Sequence, residues 1–118
     1  MDINDYKEWI EGYIRAWNSN DPDEIGSLFA EDGRYFTGPF EEPWEGRQGI
    51  VEGWRKNQDE PGTFKFRYEI QAFSGNTGAM RGWTTYLNPL KEYSNLWVMK
   101  FNQQGECYEF TEWWKKRK

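Results

Sequence analysis

The chain contains no histidine among its 118 residues. Without an imidazole there is no Ser-His-Asp or Cys-His nucleophilic relay and no histidine-ligated metal. It has a single cysteine, Cys107, so no internal disulfide can form. That usage fits a reducing compartment, and a cytoplasmic location is the expectation. Glycine-rich phosphate loops and paired-cysteine motifs are missing as well. No apolar run is long enough to span a bilayer, and the first residues, Met1-Asp-Ile-Asn-Asp5, are acidic rather than signal-like, so a membrane is not an expected partner. Chemistry, if there is any, must run on carboxylates, tyrosine, lysine, arginine or bound water.

Aliphatic residues are scarce too, and with a net charge of -5 a composition rule alone would suggest disorder. The aromatic content argues the other way: 8 Trp, 7 Tyr and 8 Phe, each able to bury a large area. The core must therefore be aromatic. Rigid rings fill space less adaptably than leucine or methionine, so such a core tends to leave concavities. The length suits one domain, residues 1–118, with no room for a second. Nucleic acid is not expected as a partner, because removing the four cations of Lys115–Lys118 takes the body from -5 to -9. That basic tail reads as a solvated end.

Along the chain, Asp5-Tyr-Lys-Glu8 reads as a capping box opening a helix whose Tyr6, Trp9, Ile10, Tyr13, Ile14 and Trp17 recur at helical spacing. Asp21-Pro22 starts a second helix, with Ile25, Leu28 and Phe29 as its buried stripe and Gly33 at its end. Arg34–Thr37 is a short strand. The loop Gly38–Gly46 carries two prolines and two exposed-looking aromatics, Phe40 and Trp44. It reads either as a lid or as a surface connection pinned by its aromatics. A third helix, Arg47–Gln58, buries Ile50, Val51 and Trp54 and stops at Pro61-Gly62. From Phe64 the apolar period becomes two, through Ala72, and Gly75–Gly78 turns the chain into a strand from Ala79 to Leu87. Three helices followed by an antiparallel meander make an α+β fold, the helices on one face of a curved, mainly antiparallel sheet.

The last two strands form a hairpin, Tyr93–Phe101 and Glu106–Trp114, joined by the four-residue loop Asn102–Gly105. This register sets Phe101 opposite Glu106, Met99 opposite Tyr108, Trp97 opposite Phe110, Asn95 opposite Glu112 and Tyr93 opposite Trp114. The inner face then carries Tyr93, Trp97, Met99, Phe101, Tyr108, Phe110 and Trp114, with one polar island, Asn95 beside Glu112. Cys107 falls on the outer face with no base in reach. Outer Leu96, Val98 and Trp113, with Trp83, form an apolar patch suited to a homodimer. A carboxylate among rings is costly to ionise, so Glu112 should have a raised pKa, as catalytic acids and bases require. A structural glutamate tied to Asn95 or a tyrosine is the alternative.

Several segments together, Tyr13-Ile-Arg-Ala-Trp-Asn-Ser-Asn-Asp-Pro22, Leu28-Phe-Ala-Glu-Asp-Gly33, Trp44-Glu-Gly-Arg-Gln-Gly-Ile50, Phe101-Asn-Gln-Gln-Gly105 and Glu109-Phe-Thr-Glu-Trp113, make the chain resemble the SnoaL-like branch of the nuclear transport factor 2 superfamily. The resemblance spans nearly the whole chain and implies a cystatin-like cone, with helices in a curved sheet around a pocket. It leaves activity open, because isomerases, dehydratases, epoxide hydrolases, polyketide cyclases and non-catalytic modules share that fold. Tyr13 falls where ketosteroid isomerases place an oxyanion-donating tyrosine. Their general-base aspartate falls on Thr37 and their second donor on Trp97, and the Asp-His pair of the cyclases and dehydratases has no counterpart. Glu112 is the nearest match to the late acidic residue of the cyclase pattern.

The alignment points Tyr13, Tyr35, Thr37, Trp97, Phe110, Glu112 and Trp114 inward. Trp17, Trp54, Trp97 and Trp114 make the expected pocket wall, with Tyr86 and Asn95 beside them. The catalytic candidates are Glu112 as acid or base and Tyr13 as polarising donor. No cofactor is expected, and Glu41, Glu42 and Glu45 read as a solvated loop rather than a metal site. The expected partner is a planar, mostly apolar small molecule carrying a carbonyl or hydroxyl. Three classes of function stay open: a cofactor-free isomerase, cyclase or dehydratase, a non-catalytic ligand-binding module, and a structural or partner-binding protein with a filled interior.

Overall fold

Aspartates at both ends of the first turn open the first helix. In the computed structural model, which describes residues 1–118, the Asp5 amide donates to Asp2 and the Asp2 amide donates back to Asp5, each at 2.9 Å. The capping box is thus Asp2 and Asp5, one turn before the expected start, and helix α1 runs Ile3–Ser19. Its buried face is Tyr6, Trp9, Ile10, Tyr13 and Ala16. Asp21 caps α2, Pro22–Ser27, by accepting from the Asp23 and Glu24 amides. The helix stops before Phe29. The Leu28 carbonyl instead accepts from the Cys107 amide at 2.9 Å and the Trp9 indole at 2.9 Å, so tertiary pairing overrides the helical period at Leu28 and Phe29.

Strand β1 therefore runs Phe29–Phe36, starting at Phe29 rather than at the expected Arg34. A two-residue strand, β2 (Trp44–Glu45), pairs with its Arg34 and Tyr35. No period can announce so short a strand. It leads into α3, Gly46–Lys56. Strands β3 (Phe64–Ser74), β4 (Thr77–Leu87), β5 (Leu90–Phe101) and β6 (Cys107–Lys116) complete one curved six-stranded sheet in the order β2-β1-β6-β5-β4-β3. All neighbours are antiparallel except β1 and β6. No helix is long and apolar enough to cross a membrane.

The β5–β6 hairpin is present, with its register two residues from the expected one. Trp97 faces Glu112, Met99 faces Phe110 and Asn95 faces Trp114. Two local features produce the shift. The loop is five residues, closed by the Asn102 amide donating to the Glu106 carbonyl at 2.9 Å. A bulge then follows, because Phe101 pairs with Cys107 while Lys100 pairs with Glu109, leaving Tyr108 unopposed. A shift of two keeps every side chain beyond the bulge on its expected face. Around the bulge the expectation is corrected: Cys107 is fully buried, not on the outer face, and Tyr108 is half-buried rather than part of the inner wall.

The core is the aromatic one that composition demands. Tyr6, Trp9, Tyr13, Phe29, Tyr35, Trp54, Trp97, Phe101 and Phe110 pack with Ile10, Ile25, Ile50, Met80 and Met99. Gly82 makes room for one layer of it: a Cβ there would sit 2.6 Å from the Phe66 ring, which stacks on Trp97 at 5.2 Å.

Phe110 and Phe40 separate core from surface. Phe110 is fully buried and Phe40 is 99% exposed. Phe110→Ala should cost about 3–5 kcal/mol in urea unfolding, and Phe40→Ala should stay within about 0.5 kcal/mol. Equal losses from the two substitutions would contradict this packing.

Candidate functional site

Two helices, four strands and one loop meet at the open side of that core. Helix α1 contributes Tyr13 and Trp17, one turn apart on one face, and α3 contributes Trp54. Strand β1 brings Tyr35, β4 brings Thr84 and Tyr86, β5 brings Tyr93, Asn95 and Trp97, and β6 brings Glu112 and Trp114. All of these line a partly open cavity of about 570 Å³. Of the residues expected in it, Tyr13, Trp17, Tyr35, Trp54, Tyr86, Asn95, Trp97, Glu112 and Trp114 are there. Thr37 and Phe110 are not. Thr37 lies just past the end of β1, where the chain bends away. Phe110 is the fully buried floor beneath the cavity, stacked under Tyr35 at 4.4 Å and Tyr13 at 5.5 Å.

At the deep end the Tyr13 and Tyr35 hydroxyls lie 2.6 Å apart. Tyr35 is held between Phe110 and Trp44, the latter stacked at 4.7 Å. Trp44 reaches that position because α3 has a glycine beneath it: a Cβ on Gly53 would fall 2.4 Å from the indole. Burial first pushes both tyrosines well above the usual range, followed by Tyr35 for Tyr13 and by the Glu112 charge for Tyr35, where the bond to Tyr13 pulls the other way. They are therefore proton donors, not bases. One hydroxyl donates to the other, which leaves the second proton for an oxygen in the cavity. The donating chain polarises that second O–H.

Glu112 is half-buried across from this pair. Its Oε2 accepts from Asn95 Nδ2 at 2.7 Å and from Trp97 Nε1 at 3.0 Å. The Asn95 amide is itself oriented by the Thr84 hydroxyl, which donates to Asn95 Oδ1 at 2.8 Å. Both bonds fall on one oxygen, and Oε1 makes none. No buried side-chain polar atom lacks a partner, so Oε1 is open to the cavity. Burial raises the pKa of Glu112, and the bonds from Trp97 and Asn95 oppose that rise without cancelling it. Structural anchoring and chemical availability thus coexist, one on each oxygen.

A second carboxylate, Asp59, also lines the cavity, and reading the sequence missed it. It sits between α3 and β3, in Asn57-Gln58-Asp59-Glu60, where no periodicity can say which way a side chain points. Its Oδ2 accepts from Trp17 Nε1 at 2.9 Å and the Tyr86 hydroxyl at 3.0 Å. Burial first, and Asp59 second, raise the Tyr86 pKa. Trp44, an exposed-looking loop aromatic by sequence, is a wall residue as well.

No three cysteine or acidic side chains converge in a way that could hold a metal. The Cys107 thiol is pushed up by burial and donates to the Glu109 carbonyl at 3.3 Å, so it is no nucleophile.

The family profile of the SnoaL-like domain matches residues 10–114. No curated protein matches the chain by sequence. Among solved structures, an NTF-2 like protein of unknown function from Burkholderia xenovorans is similar with a TM-score of 0.78 and 18% identity, covering 98% of this chain and 86% of the other. The epoxide hydrolase/cyclase-like enzyme SalBIII, of pyran ring formation in the polyether salinomycin, is similar with a TM-score of 0.77 and 20% identity over 97% and 93% of the two chains. An LEH-like epoxide hydrolase of M. tuberculosis reaches a TM-score of 0.71 at 13% identity, over 95% and 84%.

The environment of Glu112 has a consequence for stability. A raised carboxylate pKa means that the folded state holds the proton more tightly than the unfolded state. The resulting penalty is absent below the ordinary value of 4.5 and grows as pH climbs through the unfolded and then the folded pKa. Glu112→Gln keeps an acceptor for Asn95 and Trp97 but cannot ionise. Its melting temperature should exceed that of the parent at neutral pH, and the difference should vanish in acid. A variant less stable at neutral pH would mean a charged, well-compensated carboxylate.

Proposed function

The chain belongs to the SnoaL-like domain family, and on that basis we propose that its cavity binds an apolar small molecule carrying a carbonyl or hydroxyl and moves a proton on it. The observation that carries this reading is the pairing of a bare Glu112 Oε1 with the spare proton of the Tyr13–Tyr35 pair, inside a wall of aromatic rings. A ligand oxygen takes the tyrosine proton as a hydrogen bond, which stabilises negative charge developing there. Glu112 accepts or delivers a proton at a neighbouring atom, and its raised pKa brings its two protonation states toward the working pH. Isomerisation, cyclisation and dehydration all fit that pair of roles. The similar folds of an epoxide hydrolase/cyclase-like enzyme and an epoxide hydrolase are in keeping with acid–base work on oxygenated carbon skeletons. The cavity of about 570 Å³ counts against a filled, purely structural interior. A binding module without turnover is the alternative, and it uses the same residues.

Binding should change the intrinsic tryptophan fluorescence, since Trp17, Trp44, Trp54, Trp97 and Trp114 all border the cavity. A fluorescence screen of aromatic and terpenoid carbonyl compounds, followed by mass spectrometry of the mixtures, tests both readings. For an enzyme, Glu112→Gln should lower turnover about 10²–10⁴-fold while affinity stays within about tenfold. Undiminished turnover in that variant would remove Glu112 from the chemistry. A ligand bound unchanged by the parent protein selects the binding module.

We also propose that the outer sheet face forms a homodimer. Leu96 and Trp113 face each other across β5 and β6 and remain 40% and 39% exposed, with Val98 half-buried nearby. Trp83 adds less than its type suggests, because Arg67 and Arg81 guanidinium groups cover it at 3.8 and 4.9 Å from the ring centre. Light scattering at micromolar concentration should give twice the chain mass, and Trp113→Asp should halve it. A monomer in the parent protein rules the dimer out.

A further inference from the structure

The cavity carries more negative charge than proton transfer by Glu112 requires. Its charged lining is Glu112, Asp59 and Lys91, and Lys91 is exposed. The ion pairs of the molecule are Arg34–Glu109, Lys100–Glu109, Arg47–Glu106 and Arg117–Glu92. No cation therefore comes within 4.0 Å of either cavity carboxylate. Asp59 is built in the same way as Glu112. An indole N–H and a second neutral donor, here the Tyr86 hydroxyl, hold Oδ2, and Oδ1 has no partner. With no buried polar atom left unsatisfied, Oδ1 is accessible.

The loop holding Asp59 is anchored too, since Asn20 Nδ2 donates to the Asp59 carbonyl at 2.9 Å. Aromatic surface surrounds this pole: Trp17 and Tyr86 bond it directly, and Tyr93 stands edge-on to Tyr86 at 5.7 Å.

We propose that Asp59 and its flanking rings form an ammonium subsite, so that the ligand of this cavity is an apolar amine. The inference rests on the reading of the cavity as a small-molecule pocket and narrows the class of molecule it takes. An apolar group seated at Asp59 would strip water from a carboxylate oxygen without replacing its partner, which costs affinity, and a neutral hydroxyl would replace it only with a bond that lacks charge on the donor. An ammonium group instead makes a charge-assisted hydrogen bond to Oδ1. The net charge of -5 favours cation encounter as well. With its amine at Asp59, the ligand extends its apolar body past Trp97 and presents its reacting oxygen to Glu112 and the tyrosine pair.

The test is a tryptophan fluorescence titration with two probes of one shape, phenylbutylamine and phenylbutanol, on the parent protein, Asp59→Asn and Glu112→Gln. The parent should bind the amine about 10- to 100-fold more tightly, the worth of one charge-assisted bond. Asp59→Asn should bring the two affinities within about threefold while leaving that for phenylbutanol unchanged, because asparagine keeps an acceptor for Trp17 and Tyr86. Glu112→Gln should retain the preference. Should Asp59→Asn fail to fold, ionic strength supplies the readout on the parent. Added salt should weaken the amine and leave the alcohol unchanged, and salt-insensitive amine binding would overturn the subsite. Equal binding of the two probes, or a preference that survives Asp59→Asn, overturns the ammonium subsite and leaves the pocket reading standing. Binding of neither probe overturns both.

Discussion

A single indole joins the core of this protein to its polar site. Trp97 is 1% exposed, packs against Tyr13 at 4.4 Å and Phe66 at 5.2 Å, and donates its only N–H to Glu112. Its six-membered and five-membered rings do the work of aliphatic core residues that the chain lacks. Its N–H cannot go unpaired at that depth without a penalty of about 1–3 kcal/mol. The glutamate beside it is therefore part of how the core is satisfied. Removing the carboxylate with no replacement acceptor would orphan a buried donor, which is why glutamine rather than alanine separates chemistry from packing at position 112.

The same constraint recurs at three other tryptophans. Trp9 donates to the Leu28 carbonyl at the junction of α2 and β1, Trp54 donates to Asn20 at 3.4 Å, and Trp17 donates to Asp59. A chain short of leucine, isoleucine and valine buries area with rings, and rings of this kind bring polar handles. Acceptors must follow them inward. Two of those acceptors are carboxylates, and each leaves one oxygen unused. The aromatic composition thus accounts both for a cavity, through stiff shapes that fill space incompletely, and for the acidic groups facing into it.

Much of this was legible in the sequence, for reasons that also mark where reading stops. The helical stripe of α1 and the alternation of β5 and β6 are set by burial periods, so they placed Tyr13, Trp17, Trp97, Glu112 and Trp114 on the cavity side. The hairpin register was off by two, yet a period of two made the error silent for Glu112. It was not silent at the bulge, where Cys107 and Tyr108 exchanged sides. A bulge has no signature in composition. Asp59 was out of reach for a different reason: its direction is fixed by Trp17, Tyr86 and Asn20, which lie 42, 27 and 39 residues away along the chain. Thr37, expected to end the strand, lies one residue past its end at Phe36.

The geometry of the loop between β1 and α3 shows how the walls stay put without a tight core. Trp44 is fixed from three sides, by its strand pairing with Tyr35, by stacking on that tyrosine and by the bare backbone of Gly53. Tyr35 in turn cannot swing without losing Phe110 and the 2.6 Å contact to Tyr13. The deep end of the cavity is accordingly rigid, with its donors aimed before any ligand arrives, the condition under which a hydrogen bond to developing charge costs no reorganisation. The outer end differs: Trp114 is 58% exposed, with the Tyr93 ring edge-on to it at 5.8 Å. Under the proposed ammonium subsite, selection at the outer end rests on a fixed charge, Asp59, rather than on shape, while shape is enforced where the tyrosine pair and Glu112 meet.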